Sequence, residues 1–120
     1  MENKKPISIK SRSEFLELKK NGKHFCPTPW LLINYRSRDN GHLKFGMTVP
    51  KYVGNAVVRN RIKRWCRESV KRQGPCYSLD VNFVFRKREK EFYRSLTSKQ
   101  IFEACDRAFS KLERYHTESN

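Results

Sequence analysis

Apolar and polar residues alternate with a period of two in two stretches of the chain. Leu43, Phe45, Met47 and Val49 are separated by Lys44, Gly46 and Thr48, and Leu79, Val81, Phe83 and Phe85 recur at every second position further on. That spacing predicts strands with one buried face. A third apolar segment, Trp30 to Tyr35, is too short for a helix and also reads as a strand. Two segments carry capping-box spacing, Ser11-Arg12-Ser13-Glu14 and Thr97-Ser98-Lys99-Gln100. The first predicts a helix from Arg12 to Lys20, closed by Asn21-Gly22 as a left-handed stop. The second opens a helix whose stripe is Ile101, Cys105, Ala108, Phe109 and Leu112. Between them Pro50 and Gly54 break the chain, and Asn55, a favoured N-cap residue, starts a helix running to Arg72 and ended by Gly74-Pro75.

The remaining segments read as connections. Residues 23–29 hold Pro27 and Pro29 and read as loop, Asn40-Gly41 reads as a hairpin turn, and Arg86 to Arg94 as a charged linker. The order is helix, strand, strand, helix, strand, helix, which is an α+β sandwich. With no repeat and no low-complexity segment, 120 residues fit one domain, 1–120. Residues 1–10 form an arm lying on that domain and residues 115–120 a frayed tail.

Charge changes the picture. Lys and Arg number 27 against 12 Asp and Glu, a formal charge of +15. A small domain of that charge repels itself, so a polyanion is its natural partner. An anionic membrane fits less well, because neither terminus carries a basic amphipathic anchor. The longest apolar run, Trp30 to Ile33, is too short to cross a bilayer, and Met1 to Lys10 lacks a signal-peptide core. Cys26, Cys66, Cys76 and Cys105 make no C-x-x-C pair and have no His at zinc-site spacing; Cys66 and Cys105 fall on apolar stripes and suit buried free thiols. The expectation is a soluble protein of the reduced cytoplasm.

The cations concentrate on the middle helix. Residues 51–72 contain eight basic residues and one acid, Glu68. At about 100° per residue, Val58, Ile62, Trp65, Cys66 and Ser69 share one face, and Arg59, Asn60, Lys63, Arg64, Arg67 and Lys71 take the opposite arc. Like charges four residues apart cost about 0.2–0.5 kcal/mol per pair, a repulsion that a polyanion would relieve. Arginine adds a planar fork for phosphate and a face that stacks on bases. Nucleic acid therefore fits better than a solvated face, while RNA and DNA stay undistinguished at this level.

The run from Phe45 to Glu68, FGMTVPKYVGNAVVRNRIKRWCRE, centred on Arg59-Asn60-Arg61, resembles the signature of the bacterial ribonuclease P protein component, and weaker similarity covers nearly the whole chain. The resemblance implies a two-layer sandwich, a small mixed four-stranded sheet with three helices, of the kind also found in the second domain of a small-subunit ribosomal protein. It further implies a left-handed βαβ crossover through the basic helix, against the right-handed default of about 98% of such units.

What the resemblance implies for function is a protein subunit, monomeric in its complex, that binds a catalytic RNA and the 5′ leader of precursor tRNA. The complex hydrolyses one phosphodiester bond to give the mature 5′ end, with Mg²⁺ held mainly by the RNA and no catalytic residue in this chain. RNA contacts fall on Lys51, Arg59, Asn60, Arg61, Lys63, Arg64, Arg67 and Lys71. The leader cleft falls on Phe15, Lys19, Leu31 and Ile33, with Lys19 where many relatives carry an aromatic residue. Leu31 and Ile33 fit the core as well as the cleft floor. The residues themselves agree with a non-catalytic role: no close carboxylate cluster stands out, and His24, His42 and His116 are isolated in sequence. A ribosomal or RNA-chaperone protein would share the charge and the sandwich without requiring the Arg-Asn-Arg helix, and a stand-alone nuclease would need its own metal site.

Overall fold

The computed structural model describes residues 6–37, 41–73 and 78–119, with side chains up to Arg72 in the second helix and up to His116 in the last. Its elements are β1 (Ile7–Ser8), α1 (Arg12–Asn21), β2 (Lys23–Thr28), β3 (Leu31–Ser37), β4 (Leu43–Thr48), a 3₁₀ turn (Lys51–Val53), α2 (Ala56–Gln73), β5 (Leu79–Phe85) and α3 (Ser98–Ser119). The chain is α+β, three helices on one mixed sheet. That sheet has five strands rather than four, in the order β1-β4-β5-β3-β2. The extra strand is the arm, whose two residues pair parallel with Lys44 and Phe45 while Ile9 is buried.

The capping signals act as written. Ser11 Oγ accepts from the Glu14 amide at 3.2 Å, Asn55 Oδ1 from the Val58 amide at 3.0 Å, and Thr97 and Gln100 exchange reciprocal bonds. Gly22 does close α1, but in extended backbone (φ −87°) rather than a left-handed one. Glycine is needed there for closeness: a β-carbon would stand 2.5 Å from the Leu18 carbonyl oxygen and 2.9 Å from that of Tyr35.

Two connections and the C-terminal segment differ from expectation. Residues 23–28 form β2, joined to β3 by a tight turn at Pro29-Trp30, with a break in register between Phe25 and Thr28. Proline is tolerated because β2 is an edge strand. β3 and β4 make no hairpin, because β5 inserts between them, antiparallel to β3 and parallel to β4; Asn40 itself lies outside the described residues, as do Gly74-Pro75 and Cys76. The C-terminal segment is not frayed at its start: α3 continues to Ser119, and Tyr115 packs edge-on to Tyr35 at 4.7 Å between ring centroids.

Strand register sorts the sheet into two faces. Leu31, Ile33 and Tyr35 lie level with Phe85, Phe83 and Val81, and these with Met47 and Phe45. This face packs against α2 and α3 through Val58, Ile62, Cys66, Ile101, Cys105, Phe109 and Leu112 and holds most of the core. Cys66 and Cys105 are buried free thiols there; their mutual hydrogen bond, followed by burial, pushes the Cys66 thiol well up. The other face presents Leu32, Asn34 and Arg36 beside Val84, Asn82 and Asp80, then Thr48, Gly46 and Lys44, and α1 lies over part of it. No helix among the described residues is long and apolar enough to cross a membrane.

Candidate nucleic-acid interface

α2 displays the predicted division. Val58, Ile62, Cys66, Ser69 and Val70 are buried, whereas Asn60, Arg64, Arg67, Lys71 and Arg72 are exposed and Lys63 half-exposed. Among the described residues, no carboxylate pairs with Lys63, Arg64, Arg67 or Lys71. The row of cations is thus held outward by an apolar stripe and left without counter-charge. Lys51 is exposed on the turn leading into the helix.

Two members of the predicted set are tied inward. Arg59 Nε donates to the Gly54 carbonyl at 3.1 Å, pinning the loop that starts α2. Arg61 Nη2 donates to the Arg94 carbonyl at 2.9 Å, and its guanidinium lies 5.3 Å from the centre of the Trp65 ring. Trp65 itself is half-buried rather than a core residue, serving as the platform for Arg61.

A second surface lies on the α1 face. Phe15 stands over Gly46 and Lys19 is exposed one turn along. The helix is fastened by two ion pairs, Glu14 to Lys44 at 2.8 Å and Glu17 to Arg36 at 3.1 Å. Arg36 also reaches the buried Asp80 at 3.3 Å, and its guanidinium pKa is raised, first by the Glu17 bond and then, against desolvation, by Asp80. Leu31 and Ile33 do not belong to this surface. They are about fully buried (1% and 0% exposed) on the opposite face, under α2 and α3. The residues that share the Phe15 face are their neighbours by one position, half-buried Leu32 and buried Asn34, with Val84, Asn82 and Thr48. Asn82 Nδ2 donates to Thr48 Oγ1 at 3.0 Å. The resemblance implies the cleft for Leu31 and Ile33, and sequence alone leaves core and cleft open because Leu31-Leu32-Ile33 is apolar on both faces; the level pairing of Asn34 with Asn82 settles the parity.

Among the described residues no group of three or more His, Cys, Asp or Glu side chains is placed to share a metal ion. Asp80 is committed to Arg36, and Glu14 and Glu17 to the α1 ion pairs. These carboxylates of the described residues are thus engaged by cations of the chain itself.

Comparison with known proteins gives one family. The family model described as Ribonuclease P matches residues 4–113. The ribonuclease P protein component of Macrococcus caseolyticus is 33% identical over 98 residues, 81% of this chain and 85% of that protein. The corresponding protein of Staphylococcus epidermidis is 43% identical over 67 residues, 56% of this chain; the match spans 58% of the relative's length. Among solved structures, the Staphylococcus aureus RNase P protein superposes with a TM-score of 0.76 at 24% identity, covering 88% of this chain and 94% of that one, a likeness of fold. The RNase P protein from Thermotoga maritima in complex with 1-(4-fluorophenyl)-2-thiourea superposes with a TM-score of 0.70 at 27% identity, over 78% of this chain and 88% of that one.

Proposed function

The chain belongs to the ribonuclease P protein family, and from that premise we propose that it is the protein subunit of a ribonucleoprotein that removes the 5′ leader of precursor tRNA. The observation that carries this reading is the α2 row, Asn60, Lys63, Arg64, Arg67 and Lys71, which faces outward without carboxylate partners among the described residues. Such a row suits a fixed array of phosphates, and the inward-tied Arg59 and Arg61 hold the helix in place for it. The catalytic RNA is its partner.

The α1 face takes the leader. Single strands are held by stacking on aromatic rings together with cations; Phe15 supplies the ring, Lys19 the cation, and Leu32 and Val84 the apolar floor. This chain positions substrate and partner and contributes no proton-transfer group. Mg²⁺ belongs with the RNA in this reading, which agrees with the engagement of Glu14, Glu17 and Asp80 by Lys44 and Arg36. The test is reconstitution: the purified chain added to a bacterial ribonuclease P RNA at low Mg²⁺, with cleavage of precursor tRNA at the mature 5′ end as the readout.

A further inference from the structure

β2 is the edge of the sheet, so no further strand lies beside it. Lys23 and Phe25 are level with Tyr35 and Ile33 and share their face, the one packed against α3. Tyr35 is the buried centre of an aromatic trio there. Its ring meets Phe25 at 5.5 Å and Tyr115 of α3 at 4.7 Å between centroids, both edge-on. Phe25 and Tyr115 are only half-buried. Two ammonium groups stand over them, Lys111 4.6 Å from the centre of Phe25 and Lys23 4.9 Å from that of Tyr115. Resting on the leader reading of the α1 face, we propose that this β2–α3 edge is a second station for the same single strand. It takes the leader nucleotides 5′ of those on the α1 face.

The chemistry selects the occupant. Rings flanked by cations are what an unpaired strand requires, a base for each ring and a phosphate for each ammonium. Phe25 and Tyr115 supply two platforms, one on either side of Tyr35. Lys23 and Lys111 are exposed and have no carboxylate partner among the described residues. An ammonium over an exposed ring is weakly held. On its flexible stem each lysine can turn to a phosphate while a base takes the ring face. A second copy of the chain is a poor occupant, because two molecules of charge +15 repel each other.

Continuity with the α1 face supports the same strand as ligand. Gly22 closes α1 so tightly that a β-carbon there would stand 2.9 Å from the Tyr35 carbonyl oxygen. The last turn of α1 therefore abuts the residue at the centre of the trio. Lys19, Lys20 and Lys23 are all exposed, a run of cations from the leader face round the sheet edge to the Tyr115 ring. Glu17, the acid on this part of α1, is engaged by Arg36 at 3.1 Å. The path is cationic throughout.

The experiment titrates the complex assembled with a bacterial ribonuclease P RNA against precursor tRNAs whose leaders are lengthened one nucleotide at a time at the 5′ end. With the unaltered chain, affinity should rise in two steps, first as the leader covers the α1 face and again as it reaches Tyr115 and Phe25. Lys23→Gln with Lys111→Gln should remove the second step and keep the first. For long leaders that variant should lower the log–log salt slope by up to about 1.4, at roughly 0.7 per single-strand phosphate. Tyr115→Ala should lose about fivefold or more on long leaders, the lower end for one stacked base. Tyr115→Phe keeps the ring, gives up only the hydroxyl contact with Ser37 at 3.2 Å, and should retain that affinity. Melting temperatures are measured alongside; the exposed lysine pair decides the matter if Tyr115→Ala is unstable. Phe15→Ala is the α1-face control and should impair the first step. A single step for the unaltered chain, or long-leader affinity and slope unaltered in the lysine variant, with Phe15→Ala impaired, overturns this inference alone. Equal loss by the lysine variant for every leader length, including none, does the same. No dependence on leader length, or no effect of Phe15→Ala, overturns the leader reading of the α1 face and this inference with it.

Discussion

Gly46 lies directly beneath the ring of Phe15: a β-carbon at residue 46 would stand 2.7 Å from Phe15 Cε1, 2.9 Å from its Cζ and 3.1 Å from Ile9 Cβ. The ring sits on bare backbone because glycine leaves room for it. Gly46→Ala should therefore tilt Phe15 off the sheet and strain the buried arm, at about 1–3 kcal/mol, the usual cost of overpacking. A thermal melt measures that cost. Affinity of the reconstituted complex for precursor tRNA should fall more with a leader than without one; equal loss for both substrates would remove Phe15 from the leader site.

The arginines of α2 should divide into two classes. Arg64→Ala and Arg67→Ala should weaken RNA-subunit binding about tenfold or more each, a charge-assisted bond being worth roughly 1.5–3 kcal/mol, with an unchanged melt. Arg59→Ala and Arg61→Ala should lose both affinity and stability, because each releases a backbone carbonyl and Arg61 also leaves the Trp65 ring. Trp65→Ala should cost less than the 3–5 kcal/mol typical of a fully buried ring, since the indole is half-exposed. Calorimetric melts beside binding isotherms check the division.

Much of this was legible in the sequence, and the failures have a common origin. Local signals held: both capping boxes, the Asn55 cap, the apolar stripe of α3 and the two faces of α2 depend on residues three or four apart. What failed depends on partners distant in the chain. Asn40-Gly41 reads as a hairpin turn because nothing local reveals that β5, which begins only at Leu79, separates β3 from β4. The prolines argued against β2, and only its place at the sheet edge makes them compatible with a strand. For Leu31 and Ile33 the resemblance implies the cleft while the residues leave core and cleft floor open, because an apolar triplet gives no parity; the register with Phe85 and Phe83 puts them in the core.

Tyr93 gives an alkaline prediction. Burial first, and then the nearby Tyr52, raise its pKa above the ordinary value of 10.0. In the unfolded chain the phenol ionises near pH 10, while in the fold it stays protonated. The stabilisation is present below pH 10 and is lost as pH rises beyond it, because the unfolded state then binds fewer protons. Melting temperature should fall above about pH 10, and Tyr93→Phe should fall less steeply. At neutral pH the same variant should be destabilised by about 1–3 kcal/mol through the carbonyls it abandons. Parallel alkaline slopes for the two proteins would contradict this.

Lys19 is exposed one turn beyond Phe15, where an aromatic residue would stack and lysine can meet a phosphate instead. Lys19→Phe should retain leader affinity while flattening its salt dependence by up to about 0.7 in log–log slope, the single-strand value for one phosphate. A salt series on precursor tRNA with and without a leader is the measurement, and an unchanged slope for both Lys19→Phe and Lys19→Ala would put Lys19 outside the cleft.

The most direct measurement is cleavage of precursor tRNA at low Mg²⁺ by four nuclease-free preparations: the chain alone, a bacterial ribonuclease P RNA alone, the two together, and the RNA with the Arg64→Ala, Arg67→Ala chain. The expected result is cleavage at the mature 5′ end by the assembled pair, little by the RNA alone, none by the protein alone, and reduced cleavage with the double variant until protein concentration is raised. Site-specific cleavage by the protein without RNA, or no gain on adding it to the RNA, would contradict the role proposed for this chain.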